Sequence, residues 1–397
     1  MRIAIFHNRY VYRGGEDSVV DTEAELLRKA GHEVQLFLVD NRDAIAGSPL
    51  GALRAGLRAR GSRSMHRRVT AFAAERAIEV AHVHNFFPVL SPAVHAALSE
   101  CGIPVVQTLH NYRFLCANGM FLRAERVCED CVSRGPWNAV RHGCYRESRL
   151  QTAVWADHTA THRRRETWER HVDCFLVPSA FARTKLLAAG LPPDRIRVKP
   201  NSVPDPGPPC APGRGAAFVG RLSREKGVHL LLDAWREMGG APLVVAGTGP
   251  EAERLGEQAA SIPGVRFLGQ IGRDRVVDVL QRAAFAVVPS IWYENQPMAL
   301  AEAMACGRPT IASSPSALDD WVDDGRTGLR FAMGSVSSLA AACSTLLRDP
   351  ERVAAMGRAA RADYEDHLTP EASTSALLEA YAQAARVRAA RGVDPAQ

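Results

Sequence analysis

The chain has 397 residues, of which 46% are hydrophobic and 23% are charged. This is the composition of a globular protein long enough for two cores of roughly 150–200 residues each, and it excludes a disordered or collagen-like chain. No run approaches the ~20 uncharged apolar residues of a membrane helix. The net charge of +6 is too mild for a general nucleic-acid binder, so no nucleic-acid partner is expected.

The start of the chain and its cysteines indicate a compartment. The first residues, MRIAIFHNRY, contain too short an apolar stretch for a signal peptide and predict a buried first strand instead. The nine cysteines come without an export signal, which indicates reduced thiols and a cytoplasmic location.

Short runs of Val, Ile, Leu, Phe and Ala alternate with helical patterns, which predicts parallel strands covered by helices on both faces. The strands predicted in the first half are 2–6, 34–39, 80–84, 104–109, 174–178 and 196–199. Those predicted in the second half are 216–220, 243–246, 265–268, 285–289, 310–313 and 328–331. Two such series predict an α/β protein with two Rossmann-like domains, each a doubly wound parallel sheet.

A proline-rich segment separates the two series. Residues 200–215 hold six prolines and three glycines, which exclude a helix or a central strand. The predicted domains are 1–203, with a cysteine-rich insertion at 116–144, and 215–368, with 204–214 as the linker. Thr369 as an N-cap and Pro370 as the first helical residue begin a closing helix within 369–397.

The positive charge is concentrated in one segment. No acidic residue lies between Asp43 and Glu75, and the interval holds Arg54, Arg58, Arg60, Arg63, Arg67 and Arg68. An amphipathic helix within 54–68 would suit peripheral contact with an anionic membrane, at the inner face of the cell membrane. The glycines of this region favour a solvated loop equally, so both interpretations stay open.

Ligands of doubly wound sheets bind where strands lead into helices, at the carboxyl ends of the strands. Gly14 and Gly15 follow the first strand and would let the backbone approach an anion at a helix N-terminus, although an ordinary turn explains them as well. The segment Ala246-Gly247-Thr248-Gly249-Pro250 is a fragment of a glycine fingerprint and predicts a tight turn near a ligand.

The first strand of the second domain leads into GRLSREKG, residues 220–227. Arg221 and Lys226 in such a loop can hold a diphosphate, the first through two parallel hydrogen bonds and the second as a point charge. Only four of the 49 basic residues are lysine, namely Lys29, Lys185, Lys199 and Lys226, so a lysine here indicates a specific use.

The segment SIWYENQPMALAEA, residues 290–303, carries the most chemistry. Pro297 is predicted to begin a helix, with Asn295 or Gln296 as its cap and with the N–H groups of 296–299, Met298 included, facing a phosphate. Glu294 precedes this helix and Glu302 lies in its second turn among apolar neighbours. Their carboxylates can bind sugar and ribose hydroxyls.

Together these motifs resemble the retaining glycosyltransferases of family 4, which have the GT-B fold with a cleft between two Rossmann-like domains. The resemblance covers nearly the whole chain. It rests on the Gly-Gly loop, on G-R-L-x-x-E-K-G, on G-x-G-P, and on E-x7-E followed by E-A-M-A-C-G-R-P.

The resemblance implies a role for each motif. Gly15 would contact the donor phosphate or the acceptor, Arg221 and Lys226 the nucleoside diphosphate, Glu294 the donor sugar and Glu302 the ribose. His110, which could otherwise be an ordinary histidine at a strand end, would face the transferred sugar. Asn111 follows it, where the family often has Asp.

The implied reaction is retaining transfer from a nucleoside-diphosphate sugar, without a metal, to a glycan, a lipid-linked sugar or a small molecule, as in polysaccharide biosynthesis. A sugar-nucleotide epimerase, an NAD-dependent oxidoreductase and a non-catalytic sugar-nucleotide binder are the alternatives. The incomplete glycine fingerprint argues against the oxidoreductase.

Four cysteines cluster directly after His110, at Cys116, Cys128, Cys131 and Cys144. The spacing C-x11-C-x2-C-x12-C can close a tetrahedral Zn²⁺ site, which would be structural because four protein ligands leave no open position. Free buried thiols are the alternative.

Overall fold

In a computed structural model, which describes residues 1–9, 14–40 and 61–392, the chain forms two compact units. The first unit comprises 1–120, 129–199 and the chain from Ser373 onwards, and the second unit comprises 121–128 and 200–372. The division after Lys199 lies close to the predicted one. The segment 121–128, which the prediction placed in the insertion of the first domain, groups with the second unit. Most of the last helix, which the prediction gave as a separate closing segment, groups with the first unit.

The first unit is built on a parallel sheet of six strands. These are β1 (Arg2–Arg9), β2 (Glu33–Asp40), β3 (Val80–Val83), β4 (Val105–Thr108), β7 (Cys174–Val177) and β8 (Ile196–Val198). Their order in the sheet is β2-β1-β3-β4-β7-β8. Its helices are Gly15–Lys29, Arg63–Glu75, Ala93–Glu100, Asp130–Arg134, Asn138–His142, Arg149–Arg164, Thr167–His171 and Ala180–Ala188.

The second unit repeats the architecture. Its strands are β9 (Ala216–Val219), β10 (Leu243–Ala246), β11 (Val265–Gly269), β12 (Phe285–Val288), β13 (Thr310–Ser314) and β14 (Gly328–Ala332), in the order β11-β10-β9-β12-β13-β14. Its helices are Val228–Glu237, Ala252–Ala259, Arg273–Arg282, Met298–Ala305, Val336–Arg348 and Pro350–His367. A two-stranded antiparallel hairpin, β5 (Leu122–Arg123) and β6 (Arg126–Val127), also belongs to this unit. Two doubly wound parallel sheets confirm the predicted fold class.

The last helix, Pro370–Gly392, begins as predicted, because Thr369 Oγ1 accepts a hydrogen bond from the backbone N–H of Ala372 at 3.2 Å. Further along, Leu377 and Tyr381 pack into the first unit's core with Ile3 and Ile5 of β1. Most of this helix therefore belongs to the first unit because its apolar face completes that core.

Arg308 explains one part of the E-A-M-A-C-G-R-P motif. Its side chain is 1% exposed, and its guanidinium donates hydrogen bonds to carbonyl oxygens of Cys210, Ala211, Leu280 and Gln281. An arginine offers five N–H donors in a fixed plane, so it can satisfy this many carbonyls at once. It thereby attaches the proline-rich segment to the end of the helix Arg273–Arg282.

The described helices include none with the combination of length and apolar character that crossing a membrane requires.

Candidate active site

In the second sheet, the order of strands reverses between β9 and β12, which lie side by side. The helices that follow these two strands lie on opposite faces, so their loops diverge and leave a crevice at the carboxyl ends of the strands. The loop after β9 carries Arg221 and Lys226, and the loop after β12 carries Glu294. Two motifs 68 residues apart in the chain are thus brought together.

Lys226 and Glu294 form the centre of this crevice. Lys226 Nζ lies 2.6 Å from Glu294 Oε1, which also accepts a hydrogen bond from Ser290 Oγ at 2.6 Å. The ammonium also lies 5.5 Å from the centre of the Trp292 ring. Glu294 is only 3% exposed, so its charge depends on these partners.

The glycines of the neighbouring loop have a packing role. A Cβ on Gly249 would lie 2.3 Å from the carbonyl oxygen of Leu222, and one on Gly247 would lie 1.8 Å from that of Gly220. The loop after β10 therefore needs glycine to lie against the loop that carries Arg221 and Lys226. The structure places Gly249 beside the predicted site, where it shapes the loop.

The predicted helix after Glu294 is present and starts slightly later than expected. Its first residue is Met298, and Pro297, with extended backbone, is the N-cap. Gln296 holds the backbone around Asn201 in place. Its side-chain Oε1 accepts a hydrogen bond from the backbone N–H of Asn201, and its backbone carbonyl oxygen accepts one from Asn201 Nδ2 at 3.1 Å. Asn295 is buried beside it. The first N–H groups of a helix lack internal partners, so they remain an anion-binding feature of this loop.

Glu302 and Arg221 differ in environment. Burial raises the pKa of the Glu302 carboxyl, and the guanidinium of Arg273 opposes this shift. A carboxylate in this position is costly to the fold, which favours a use in binding. Arg221 is exposed, and its guanidinium makes no ion pair within the described residues.

In the first unit, His110 lines a pocket of about 570 Å³, counting the space open to solvent. Large aromatic side chains form part of the pocket wall, namely those of Phe86, Phe87, Phe114, Trp155 and Trp168. The rings of Phe114 and Trp168 lie 4.5 Å apart between centroids. Asn111 stands where the family often has Asp. Its Nδ2 donates a hydrogen bond to Glu16 Oε1 at 2.8 Å, so a carboxylate from another part of the chain lies beside this position.

Behind His110 lies a buried cluster of charged and imidazole side chains. Glu23, on the helix Gly15–Lys29, forms an ion pair with Lys199, which is 3% exposed. Its other carboxylate oxygen lies 3.4 Å from His84 Nε2 and 3.7 Å from His82 Nδ1. Burial acts to raise the pKa of Glu23, but the Lys199 ammonium and the neighbouring imidazoles outweigh it and hold that pKa below its usual value.

The loop of Gly14 and Gly15 is less suited to a phosphate than the sequence implied. The N–H of Gly14 already donates to Asp17 Oδ2 at 2.9 Å, and the helix carries Glu16 and Asp17 in its first turn. Both carboxylates repel an anion at this N-terminus. Asp17 Oδ1 lies 2.9 Å from His7 Nε2, which ties the loop to β1.

The structure does not support the predicted four-cysteine zinc site. Cys116 Sγ lies 3.0 Å from Asn118 Oδ1, and Cys131 and Cys144 pack against a small apolar cluster around Trp155. In the described part of the chain, the set of three or more metal-ligating side chains within 4.8 Å of one another is Glu23, His82 and His84.

The basic segment 54–68 is described only in part. Residues 54–60 lie outside the described ranges, while Arg63, Arg67 and Arg68 are exposed on the helix Arg63–Glu75. The membrane contact stays a prediction.

Sequence reasoning missed the buried cluster. One signal was present, because Lys199 is as rare a lysine in this chain as Lys226. A second was the pair of histidines, His82 and His84, at alternate positions of a strand that is otherwise apolar. Ser290, which supports Glu294, carried no signal that distinguishes it from any serine after a strand.

Two models of known protein families match this chain. Residues 13–205 match the model of Glycosyltransferase Family 4, and residues 213–349 match that of Glycosyl transferases group 1. Together the two models cover most of the chain. The chain therefore belongs to glycosyltransferase family 4.

Two relatives and one solved structure show the range of similarity. Glycogen synthase of Mycobacterium tuberculosis is 34% identical over 176 residues, which are 43% of this chain and 42% of that protein, so the match spans less than half of its length. Alpha-maltose-1-phosphate synthase of Mycolicibacterium smegmatis is 26% identical over 91% of this chain and 94% of its own. The crystal structure of Anabaena Alr3699/HepE in complex with UDP has a TM-score of 0.67 at 16% identity, covering 96% of this chain and all of that one.

Proposed function

We propose that this protein transfers a sugar from a nucleoside-diphosphate sugar to an acceptor hydroxyl, with retention of the anomeric configuration. The observation that carries the proposal is the contact of Lys226 with Glu294 at the switch point of the second sheet, beside the N-terminus of the helix Met298–Ala305. The Anabaena neighbour, whose crystal structures contain UDP and UDP-glucose, adds support for this class of donor.

In the proposed reaction, the bond between the anomeric carbon and the β-phosphate oxygen breaks, and a bond from that carbon to the acceptor oxygen forms on the same face. The proton of the acceptor hydroxyl passes to the leaving phosphate oxygen. Lys226, Arg221 and the helix N-terminus stabilise the negative charge that develops on the diphosphate. These groups supply positive charge from the protein itself, so the proposed transfer needs no metal.

The two carboxylates of the second unit have separate proposed roles. Glu294, held by Lys226 and Ser290, accepts hydrogen bonds from the donor sugar, and Glu302 accepts them from the ribose. Carboxylates suit this task because they offer acceptors only and sugar hydroxyls can donate to them.

The pocket beside His110 is the proposed acceptor site. Its aromatic walls can stack against a sugar ring or an apolar aglycone, and its imidazole and amide groups can orient a hydroxyl. A glycan, a lipid-linked sugar and a small molecule all meet these requirements.

A thermal-shift screen against UDP-, GDP-, ADP- and TDP-sugars tests the donor. A ligand that binds only the folded protein stabilises it by about 2.7 kcal/mol at 100 times its Kd, so one nucleotide should raise the melting temperature by several degrees. NMR of the product formed with that donor then tests retention. A flat response to all four nucleotides would contradict the proposal, and a product of inverted configuration would contradict its stereochemical part.

Replacing Glu302 by glutamine is expected to stabilise the free protein at neutral pH and to weaken its stabilisation by the nucleotide. Because burial raises the folded-state pKa of Glu302 above its unfolded value, the carboxylate lowers stability as pH rises through that pKa. The advantage of the variant should therefore shrink as the pH falls. The measurement is the melting temperature against pH, with and without nucleotide.

The control is Glu257→Gln, on an exposed helical position of the same unit. It should change neither the stability nor the response to nucleotide. A Glu302→Gln protein that keeps the full nucleotide-induced shift would remove Glu302 from the donor site.

A further inference from the structure

We infer that Asn201 is a positioning residue of the donor site. Together with Gln296 it fixes the loop that carries Glu294 and the start of the helix Met298–Ala305, and it acts on the donor only through these groups. The effect on sugar transfer rests on the proposed function, whereas the placement of the loop by Asn201 is a property of the protein alone.

Asn201 and Gln296 are joined by three hydrogen bonds, although 95 residues separate them in the chain. Gln296 Oε1 accepts from the backbone N–H of Asn201, and Gln296 Nε2 donates to the backbone carbonyl oxygen of Asn201 at 3.4 Å. Asn201 Nδ2 donates to the backbone carbonyl oxygen of Gln296 at 3.1 Å. Asn201 is 9% and Gln296 5% exposed, so losing one partner leaves a buried polar group unsatisfied. Each side chain therefore holds the backbone of the other residue.

Gln296 stands between the groups that are proposed to bind the donor. It lies two residues after Glu294 and directly before Pro297, which is the N-cap of the helix Met298–Ala305. The hydrogen bond from Asn201 Nδ2 fixes the planar peptide group between Gln296 and Pro297, and the proline ring fixes the next φ angle. The first N–H groups of the helix follow directly, so their direction depends on this bond.

The chain that follows Asn201 is attached to the same helix. Val203 is 1% exposed and packs with Leu300 in one apolar cluster. At the other end of the helix, Arg361 Nη1 donates to the carbonyl oxygen of Ala305 at 2.6 Å and binds the carboxylate of Asp205 at 2.8 Å. The amide pair supplies the corresponding attachment at the start of the helix, where the diphosphate is proposed to bind.

A positioning role and a purely structural role differ in what a substitution of Asn201 changes. Loss of a buried hydrogen bond lowers the stability of the folded protein in both cases. Only a positioning role also changes nucleotide affinity and transfer rate at temperatures where the variant is fully folded. These quantities depend on the direction of the helix N–H groups and on the place of Glu294.

The direct test is hydrogen–deuterium exchange of the full chain without ligand, in the wild type and in Asn201→Ala. Alanine keeps the backbone N–H that Gln296 Oε1 binds and removes Nδ2, so the loop loses its attachment. The amides of residues 292–300 are expected to exchange about 5-fold faster, the equivalent of one net hydrogen bond. Unchanged exchange in this stretch would overturn the inference. The measurement needs no substrate, so it is independent of the proposed function.

Two substitutions in the same unit are matched controls. Tyr364→Phe removes the buried hydrogen bond that Tyr364 Oη donates to the carbonyl oxygen of Val203. Gln258→Met removes the hydrogen bonds that Gln258 Nε2 donates, one of them to the carbonyl oxygen of His229 at 3.1 Å. Both variants should have a lower melting temperature and wild-type exchange in residues 292–300. Equal acceleration in the controls and in Asn201→Ala would show general loosening of the unit and contradict the inference.

The effect on the donor is measured with the nucleotide sugar identified by thermal shift. Asn201→Ala should raise the Kd of the nucleotide about 10-fold and lower kcat/KM about 10²-fold, because a misplacement of about 1 Å can cost this much. Gln296→Met, which keeps the length of the side chain without its amide, should act in the same direction. The two losses should not add in the double variant, since the residues act as a pair.

The outcomes separate this inference from the proposed function. A lowered melting temperature with wild-type Kd and kcat/KM in Asn201→Ala would make Asn201 a structural residue and overturn the inference. Faster exchange of residues 292–300 in a protein that binds no nucleotide sugar would support the placement of the loop by Asn201 and refute the proposed function.

Discussion

Replacing Lys226 by methionine is expected to lower kcat/KM for sugar transfer by about 10³-fold without unfolding the protein. The ammonium lies 2.6 Å from Glu294 and faces Trp292, so the substitution removes the charge that would meet the diphosphate and keeps a side chain of similar length. The lysine is partly exposed, which makes large destabilisation unexpected. The measurement is steady-state kinetics with the donor identified by thermal shift, together with a melting curve of the variant.

Lys185→Met is a closely matched control. Lys185 Nζ lies 2.7 Å from Glu129 Oε1 and 5.0 Å from the centre of the Phe181 ring, so it repeats both contacts of Lys226 outside the candidate site. It should keep transfer near the wild-type rate. Wild-type transfer by Lys226→Met, or an equal loss in both variants, would remove Lys226 from the catalytic machinery.

Replacing Glu294 by glutamine is expected to lower kcat/KM by at least about 10²-fold. An amide can still accept the hydrogen bond of Ser290, but it loses the charge that orients Lys226 and that strengthens bonds to sugar hydroxyls. Because the two side chains touch, their effects should not add, and Lys226→Met/Glu294→Gln should be little worse than the worse single variant. A double-mutant cycle measures this coupling.

The corresponding cycle at Lys185 and Glu129 is the control, and it should show no effect on transfer. If the Lys226 and Glu294 losses multiply in the double variant, the two residues act independently and the contact between them has no catalytic role. If Glu294→Gln transfers sugar at the wild-type rate, the donor sugar is bound elsewhere.

The strands show how much of the secondary structure the local hydrophobic pattern of this chain predicts. All twelve predicted strands are present, with ends that differ by a few residues, as for 2–6, which extends to Arg9. Continuous apolar runs identify strands covered on both faces, and this signal is independent of the rest of the fold. The hairpin 122–127 was not predicted, because its two strands have two residues each and no apolar pattern.

The residues of the candidate donor site could also be predicted from the sequence, but only as separate motifs. Spacing and composition singled out Lys226, Glu294 and Glu302, since each stands in a loop or helix start where its residue type is informative. The contact between Lys226 and Glu294 could not be predicted from the sequence. It requires β9 and β12 to be adjacent in the sheet, although β10 and β11 lie between them in the chain. The same limit applied to Gly249 and Gln296, whose partners are backbone groups of distant residues.

The amino-acid order alone was enough for the fold class, the start of the last helix and the family. All of these depend on periodicity, turn chemistry or short motifs that act within a few residues. Only the tertiary structure showed that Glu23, His84 and Lys199 lie behind His110, since these residues come from three elements spread over most of the first unit. A buried charge is stable only beside its partners, and the sheet order decides which partners those are.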